Sequence, residues 1–260
     1  MRVHRIWEHD VDQEWLRQRK SYLMASEIKN LVSDQRRIDE GKIPDVMHAK
    51  QFIKLYGDKS STEIDTMSRG PAARGHWMEA PAIKEYLLAK PSREAHLWDD
   101  KLIYHGVLGF SPDALSIPEI PGTAIMVDSD GQLIGGDGKT YNPPLSMVEV
   151  KSYDAGNHFL RMSMVVNHQR LDEEWQVATA MVVCPSIMRA DIMFYAPQAN
   201  SMFTVTYNRA NMARQMSMVQ RIRDSWVRLC EEFTRLDRMT TMSEEQIYQE
   251  YLASRILESM

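Results

Sequence analysis

Ser111-Pro112-Asp113, followed by Val148-Glu149-Val150-Lys151, is the pair of segments on which the reading of this chain turns. Residues 101–110 are rich in Leu, Ile, Tyr, Val and Phe, and Ser111-Pro112-Asp113 interrupts that strand-like run. Residues 145–152 form a second apolar segment, with charge entering at Glu149 and Lys151. Alternate side chains of a strand share a face, so Glu149 and Lys151 point one way and Val150 the other. Two charges on one face of an apolar strand are costly if buried without partners. A cation resolves that conflict. Asp113 and Glu149 offer hard oxygen ligands and the Val150 carbonyl can add a third, a donor set suited to Mg²⁺ or Mn²⁺ rather than zinc. Lys151 then sits beside the attacking water, where its charge can orient or help deprotonate the nucleophile and neutralise a phosphate. The competing reading is a solvated edge-strand face and an ordinary Pro-Asp turn, because half-exposed strands alternate apolar and polar residues.

Helices are expected before this block. One covers 11–20, and a second starts near Ser26, whose hydroxyl can cap the turn Glu27-Ile28-Lys29. Another covers 48–56, with a loop over 58–62. Over 75–90, Trp77, Ile83, Tyr86 and Leu87 recur at helical spacing and Pro91 ends the run. Within the strand block, Asp128-Ser129-Asp130-Gly131 between 125–127 and 132–134 is a hairpin signal. A helix is then expected over 157–183 and strands over 189–195 and 202–207. A long helix follows over 209–239, with Met212, Met216, Val219, Ile222, Trp226 and Leu229 at steps of three or four. An amphipathic helix over 243–257 closes the chain. Helices flanking a strand block define an α/β domain with helical additions. We read 1–260 as a single domain, with a core over about 11–207 and a helical extension over about 208–260.

Composition narrows the classes. A chain of 260 residues, 43% hydrophobic and 26% charged, is globular rather than disordered or fibrous. The two cysteines, Cys184 and Cys230, cannot build a four-thiolate zinc site or a cysteine-ligated iron–sulfur cluster. The first ten residues are charged without an apolar run, and no later run approaches the ~20 apolar residues of a membrane span. The chain is therefore expected to be soluble and cytoplasmic. A net charge of −5 argues against a coating protein that holds nucleic acid by bulk charge. It leaves open an enzyme whose groove alone is positive. The 19 methionines read as flexible filler of core gaps or interfaces.

Rival motifs fail. Gly135-Gly136-Asp137-Gly138-Lys139-Thr140 ends like a phosphate-binding loop, but Leu133 stands where that pattern needs a glycine. Asn142-Pro143-Pro144 follows, so no helix N-terminus is offered to a phosphate. A glycine-rich turn is the better reading. The eight histidines include no close ligand pair, and no Gly-x-Ser-x-Gly elbow occurs.

Further blocks fall in a telling order. Trp15-Leu16-Arg17-Gln18-Arg19-Lys20 and Met24-Ala25-Ser26-Glu27-Ile28 come first, then Gly75-His76-Trp77-Met78-Glu79. Ser111-Pro112-Asp113-Ala114-Leu115, Glu149-Val150-Lys151 and Trp175-Gln176-Val177-Ala178 with Met181 complete the series. Together they resemble the PD-(D/E)XK nucleases, and within them the phage recombination exonucleases of the lambda-exonuclease type. The resemblance runs from about Trp15 to Met181. It implies a restriction-endonuclease-like core, a central mixed sheet flanked by helices with extra N- and C-terminal helices. It also implies an Mg²⁺-dependent 5′-to-3′ exodeoxyribonuclease, with Mn²⁺ able to substitute, that digests linear duplex DNA and leaves 3′ single-stranded tails. By resemblance, Asp113, Glu149, Glu79 and the Val150 carbonyl hold metal. Lys151 and Gln176 orient and activate the attacking water, and Arg19 and Ser26 bind the 5′-terminal phosphate. The family further implies a trimeric ring, a single-strand annealing partner and a phage or prophage origin inside a bacterial host.

The chain departs from the family pattern at four places. Met24 replaces a Thr, Ala114 replaces the Gly of Pro-Asp-Gly, Ala178 stands where many members carry a second Gln, and 117–147 is longer than the usual hairpin. Simpler roles also exist for the accessory residues: Ser26 as a helix cap, Arg19 on a solvated basic face, Glu79 as a first-turn carboxylate, and Gln176 satisfying buried backbone. Two other functions remain open at this stage. One is a restriction-type or RecB-like nuclease on the same core; the other is a non-catalytic DNA-binding protein that keeps the fold.

Overall fold

Pro112 lies where the chain leaves one sheet for another. The computed structural model describes residues 13–32, 47, 70–239, 243, 246 and 249. Its strands are β1 (Leu23–Met24), β2 (His96–Leu97), β3 (Leu102–His105), β4 (Leu108–Phe110), β5 (Ala114–Leu115), β6 (Ala124–Val127), β7 (Leu133–Ile134), β8 (Thr140–Tyr141), β9 (Ser146–Ser152), β10 (Arg189–Ala196) and β11 (Ser201–Asn208). The helices are α1 (Gln13–Arg19), α2 (Ala25–Ile28), α3 (Gly70–Ala89), α4 (Ala155–Val166), α5 (Glu174–Val183) and α6 (Ala213–Met239). One mixed sheet has the order β1-β4-β3-β6-β7-β8 and the other β11-β10-β9-β5-β2. Proline has no N–H for a ladder, so the strand run ends at Phe110 and resumes as β5 in the second sheet.

The α/β architecture with a mixed sheet and flanking helices therefore holds, with the strands divided between two sheets. The edge-strand alternative for Glu149 does not hold. β9 lies inside its sheet, parallel to β10 and antiparallel to β5. Val148 and Val150 pack with Ala82, Ile83 and Tyr86 of α3, and Met147 joins the larger core cluster. Buried residues on both faces mark β9 as an interior strand. β5 pairs with β9 only through Ala114↔Val148 and Leu115↔Met147, so it stops short of Val150.

The helix expected over 157–183 is two helices. α4 ends at Val166, where the His168 amide bonds to the Val165 carbonyl and the Gln169 amide to the Met164 carbonyl. This crossed pair closes the helix around a left-handed residue, here His168 at φ 54° rather than glycine. α5 then starts independently. Ser26 is not a cap either. It lies inside α2 and is exposed, while Met24 is the N-cap residue and its amide donates to the Glu27 carboxylate at 3.0 Å.

The 117–147 stretch builds the β6-β7-β8 meander that extends the first sheet. The Asp128–Gly131 turn is the expected hairpin, with Gly131 at φ 79°. The glycine-rich stretch is likewise a turn, closed by the Gly135 amide on the Lys139 carbonyl. Met147, Met181, Met193, Met212 and Met218 are buried, as gap-filling requires. The expected helix over 48–56, the loop over 58–62 and nearly all of the helix over 243–257 lie outside the described residues. Among the described residues, no helix is long and apolar enough to cross a membrane.

Candidate active site

Each side chain reaches the site from an element with its own reason to be there. Asp113 is delivered by the Pro112 break between β4 and β5. Glu149 and Lys151 share one face of β9, and Val150 is buried with the cluster against α3. Glu79 comes from α3, Gln176 from α5 and Arg19 from α1. These six side chains, together with Trp15, His76 and Ser111, line one cleft of about 210 Å³. Ser26 lines a smaller adjoining pocket of about 50 Å³, shared with Arg19, Ser111, Glu149 and Gln176.

The acids and the lysine are tightly linked. Glu149 is 5% exposed. Lys151 Nζ donates to its Oε1 at 2.5 Å. The Val150 backbone amide donates to Asp113 Oδ2 at 2.6 Å. Burial pushes the Asp113 carboxyl well above its ordinary value, and the negative charges of Glu149 and Glu79 add to that. The charge of Lys151 and the Val150 amide act against it. Burial also raises Glu79; His76 opposes this, and Glu149 and Asp99 reinforce it. For Lys151, burial favours the neutral amine, but Glu149 and Asp113 outweigh it and hold the lysine above its usual range. The lysine is therefore a cation at neutral pH. Asp113, Glu149 and Glu79 crowd onto one cleft, and hard carboxyl oxygens in that number fit a divalent cation of the Mg²⁺ or Mn²⁺ kind.

Around this centre stand residues to which the sequence reading gave no role. His76 lies 3.4 Å from Glu79 through Nδ1 and 3.0 Å from Asp99 through Nε2. Hydrogen bonds to Asp99 and Glu79 push its pKa up to about 10 against the effect of burial. His76, Glu79 and Asp99 also form a group of potential metal ligands. Arg19 Nη1 donates to Ser111 Oγ at 2.8 Å, and its guanidinium stands 4.4 Å over the Trp15 ring. Ser111 was legible as the neighbour of Pro112-Asp113, and His76 as the residue three before Glu79 on one helix face. Asp99 carried no local signal.

The chain is similar to the crystal structure of an alkaline exonuclease (LHK-Exo) from Laribacter hongkongensis. The match covers 88% of this chain and 98% of the other, at 16% identity and a TM-score of 0.51. The same values hold for LHK-Exo in complex with dAMP. At that identity the likeness is one of fold, a mixed α/β core with flanking helices. No protein-family model and no curated protein matches the chain.

Proposed function

We propose that this chain is a metal-dependent 5′-to-3′ exodeoxyribonuclease of the lambda-exonuclease type. It digests linear double-stranded DNA and leaves 3′ single-stranded tails for recombination. The observation that carries the reading is the convergence of Asp113, Glu149, Lys151 and Glu79 on one cleft from three separated parts of the sequence. The fold shared with an alkaline exonuclease supports it.

In this reading Asp113, Glu149, Glu79 and the Val150 carbonyl hold a divalent cation, Mg²⁺ in the first instance. When bound, such an ion supplies charge neutralisation at the phosphate and acidifies the attacking water. The chain's own groups do the rest. Lys151, held charged by Glu149 and Asp113, sets a fixed positive charge beside the scissile phosphate, where water would otherwise have to reorganise. The Gln176 amide orients the nucleophile. Arg19, braced by Trp15 and Ser111, and Ser26 in the adjoining pocket grip a terminal 5′ phosphate and so set the direction of digestion. Residues 1–260 act as one nuclease unit in the host cytoplasm, assembled as a ring-shaped trimer that passes its product strand to an annealing protein.

A time course on end-labelled linear duplex and on closed circular duplex, with Mg²⁺ or EDTA, tests the proposal. Mononucleotide release from 5′ ends of the linear form alone, abolished by EDTA, is expected. Cutting of the circle would instead indicate an endonuclease on the same core. Binding without any hydrolysis in Mg²⁺ or Mn²⁺ would indicate a non-catalytic DNA-binding protein.

A further inference from the structure

We propose that His76 is a positioning residue: its imidazole steers the Glu79 carboxylate into the cleft while Asp99 fixes the imidazole from the solvent side. The inference rests on the nuclease reading above and assigns to that site a support that the metal ligands alone do not provide.

The geometry is that of a relay. His76 and Glu79 lie three residues apart on α3, a spacing that puts two side chains on one helix face. Nδ1 meets Glu79 Oε2 at 3.4 Å, and Nε2 meets Asp99 Oδ1 at 3.0 Å on the segment between β2 and β3. Exposure rises along the chain of contacts: the side chains of Glu79, His76 and Asp99 are 18%, 23% and 54% accessible. The acid at the centre is thus tied to an acid at the rim through one ring.

Glu79 needs such a tie. Glu149 and Asp99 repel its carboxylate, and the His76 ring is the partner that opposes them. Glu79 is also the one proposed ligand on a helix; Asp113 and Glu149 are fixed by the β4–β5 bend and by β9. A ring whose two nitrogens face two different carboxylates is committed on both sides, which suits a support rather than a ligand. Partners of this kind fix ligand orientation, and their loss typically costs about 10–100-fold in metal affinity or activity.

The test uses the full chain and two readouts: Mn²⁺ binding without DNA, followed by electron paramagnetic resonance, and the Mg²⁺ dependence of duplex digestion. His76→Ala should weaken Mn²⁺ binding and raise the Mg²⁺ needed for half-maximal activity by about 10–100-fold. The rate at saturating Mg²⁺ should fall less. His76→Gln, which can still donate to Glu79, should recover part of the loss. Asp99→Asn should shift both readouts in the same direction, and His76→Ala combined with Asp99→Asn should be no worse than His76→Ala alone.

Wild-type Mn²⁺ affinity in His76→Ala, or losses from His76 and Asp99 that simply add, would overturn the proposal. If His76→Ala does not fold, wild-type affinity in both His76→Gln and Asp99→Asn overturns it equally. A wild-type protein that neither binds Mn²⁺ nor hydrolyses DNA overturns the nuclease reading and this inference with it. A wild-type protein that does both, alongside unchanged variants, overturns the positioning role alone.

Discussion

The carboxylate of Asp113 accepts the backbone amide of Val150 at 2.6 Å, directly between the two charged residues of β9. The contact exists because β5 ends before it reaches Val150 in the ladder. A side chain thus takes the place of a strand carbonyl, and a buried amide that would cost roughly 1–3 kcal/mol unpaired is satisfied. The same bond fixes Asp113 relative to Glu149 and Lys151. Fold and site meet at this one hydrogen bond.

In the proposed mechanism Lys151 acts on both the attacking water and the phosphate, so its truncation tests the chemistry directly. Lys151→Ala is expected to lower the initial rate of linear duplex digestion in Mg²⁺ by about 10²–10³-fold, the loss typical of removing one fixed transition-state charge or donor. Wild-type digestion by this variant would exclude the proposed mechanism.

Arg19 is expected to read the 5′ end. Removing the 5′ phosphate from the substrate should lower kcat/KM of the wild type by about 10–100-fold, on the scale of lost hydrogen bonds to a charged group. The Arg19→Ala variant should be slow on both substrates and distinguish them little. Equal sensitivity in the two proteins, measured on matched 5′-phosphoryl and 5′-hydroxyl duplexes, would remove Arg19 from the phosphate pocket.

The α/β class and the residues that line the cleft were legible in the sequence; the division of the strands was not. Glu149 and Lys151 were legible because period-two alternation needs no knowledge of neighbouring strands. Glu79 and Arg19 were visible only as members of ordered blocks. The division into two sheets was not legible, since β1, β2, β5, β7 and β8 are two residues long and carry no periodicity. Nor was the break between α4 and α5. Neither glycine nor proline marks it, and His168 takes the left-handed position that glycine usually holds. The His76–Asp99 contact joins residues on separate elements, and no local pattern encodes such a pairing.

The pH dependence of metal-free stability follows from His76. Its pKa is pushed up to about 10 by hydrogen bonds to Asp99 and Glu79, from an ordinary 6.5. In that window the folded protein keeps a proton that the unfolded chain releases, so stability falls as pH rises. The contribution is full below pH 6.5 and lost as pH passes about 10. In EDTA, the Tm advantage of wild type over His76→Gln is expected to narrow steadily across that range. A difference that stays constant would show that the ring does not carry the proton.

A buried carboxylate ties α3, and with it Glu79, to the second sheet. Asp191 on β10 is fully buried and is approached from three elements. The Tyr86 hydroxyl of α3 donates to its Oδ2, and Thr206 Oγ1 of β11 donates to its Oδ1 at 2.6 Å. Lys90 Nζ and Arg189 Nη2 each stand 3.6 Å from Oδ2. Asp191→Ala removes the acceptor and strands these donors and cations together, so it is expected to cost about 3–5 kcal/mol in urea denaturation. Tyr86→Phe leaves the carboxylate its other partners and should cost only about 1–2 kcal/mol. Because Tyr86 and Glu79 share one helix, Tyr86→Phe should also raise the Mg²⁺ required for digestion, with less effect on the rate at saturation. A cost below about 1 kcal/mol for Asp191→Ala would show that the carboxylate is not the anchor of α3.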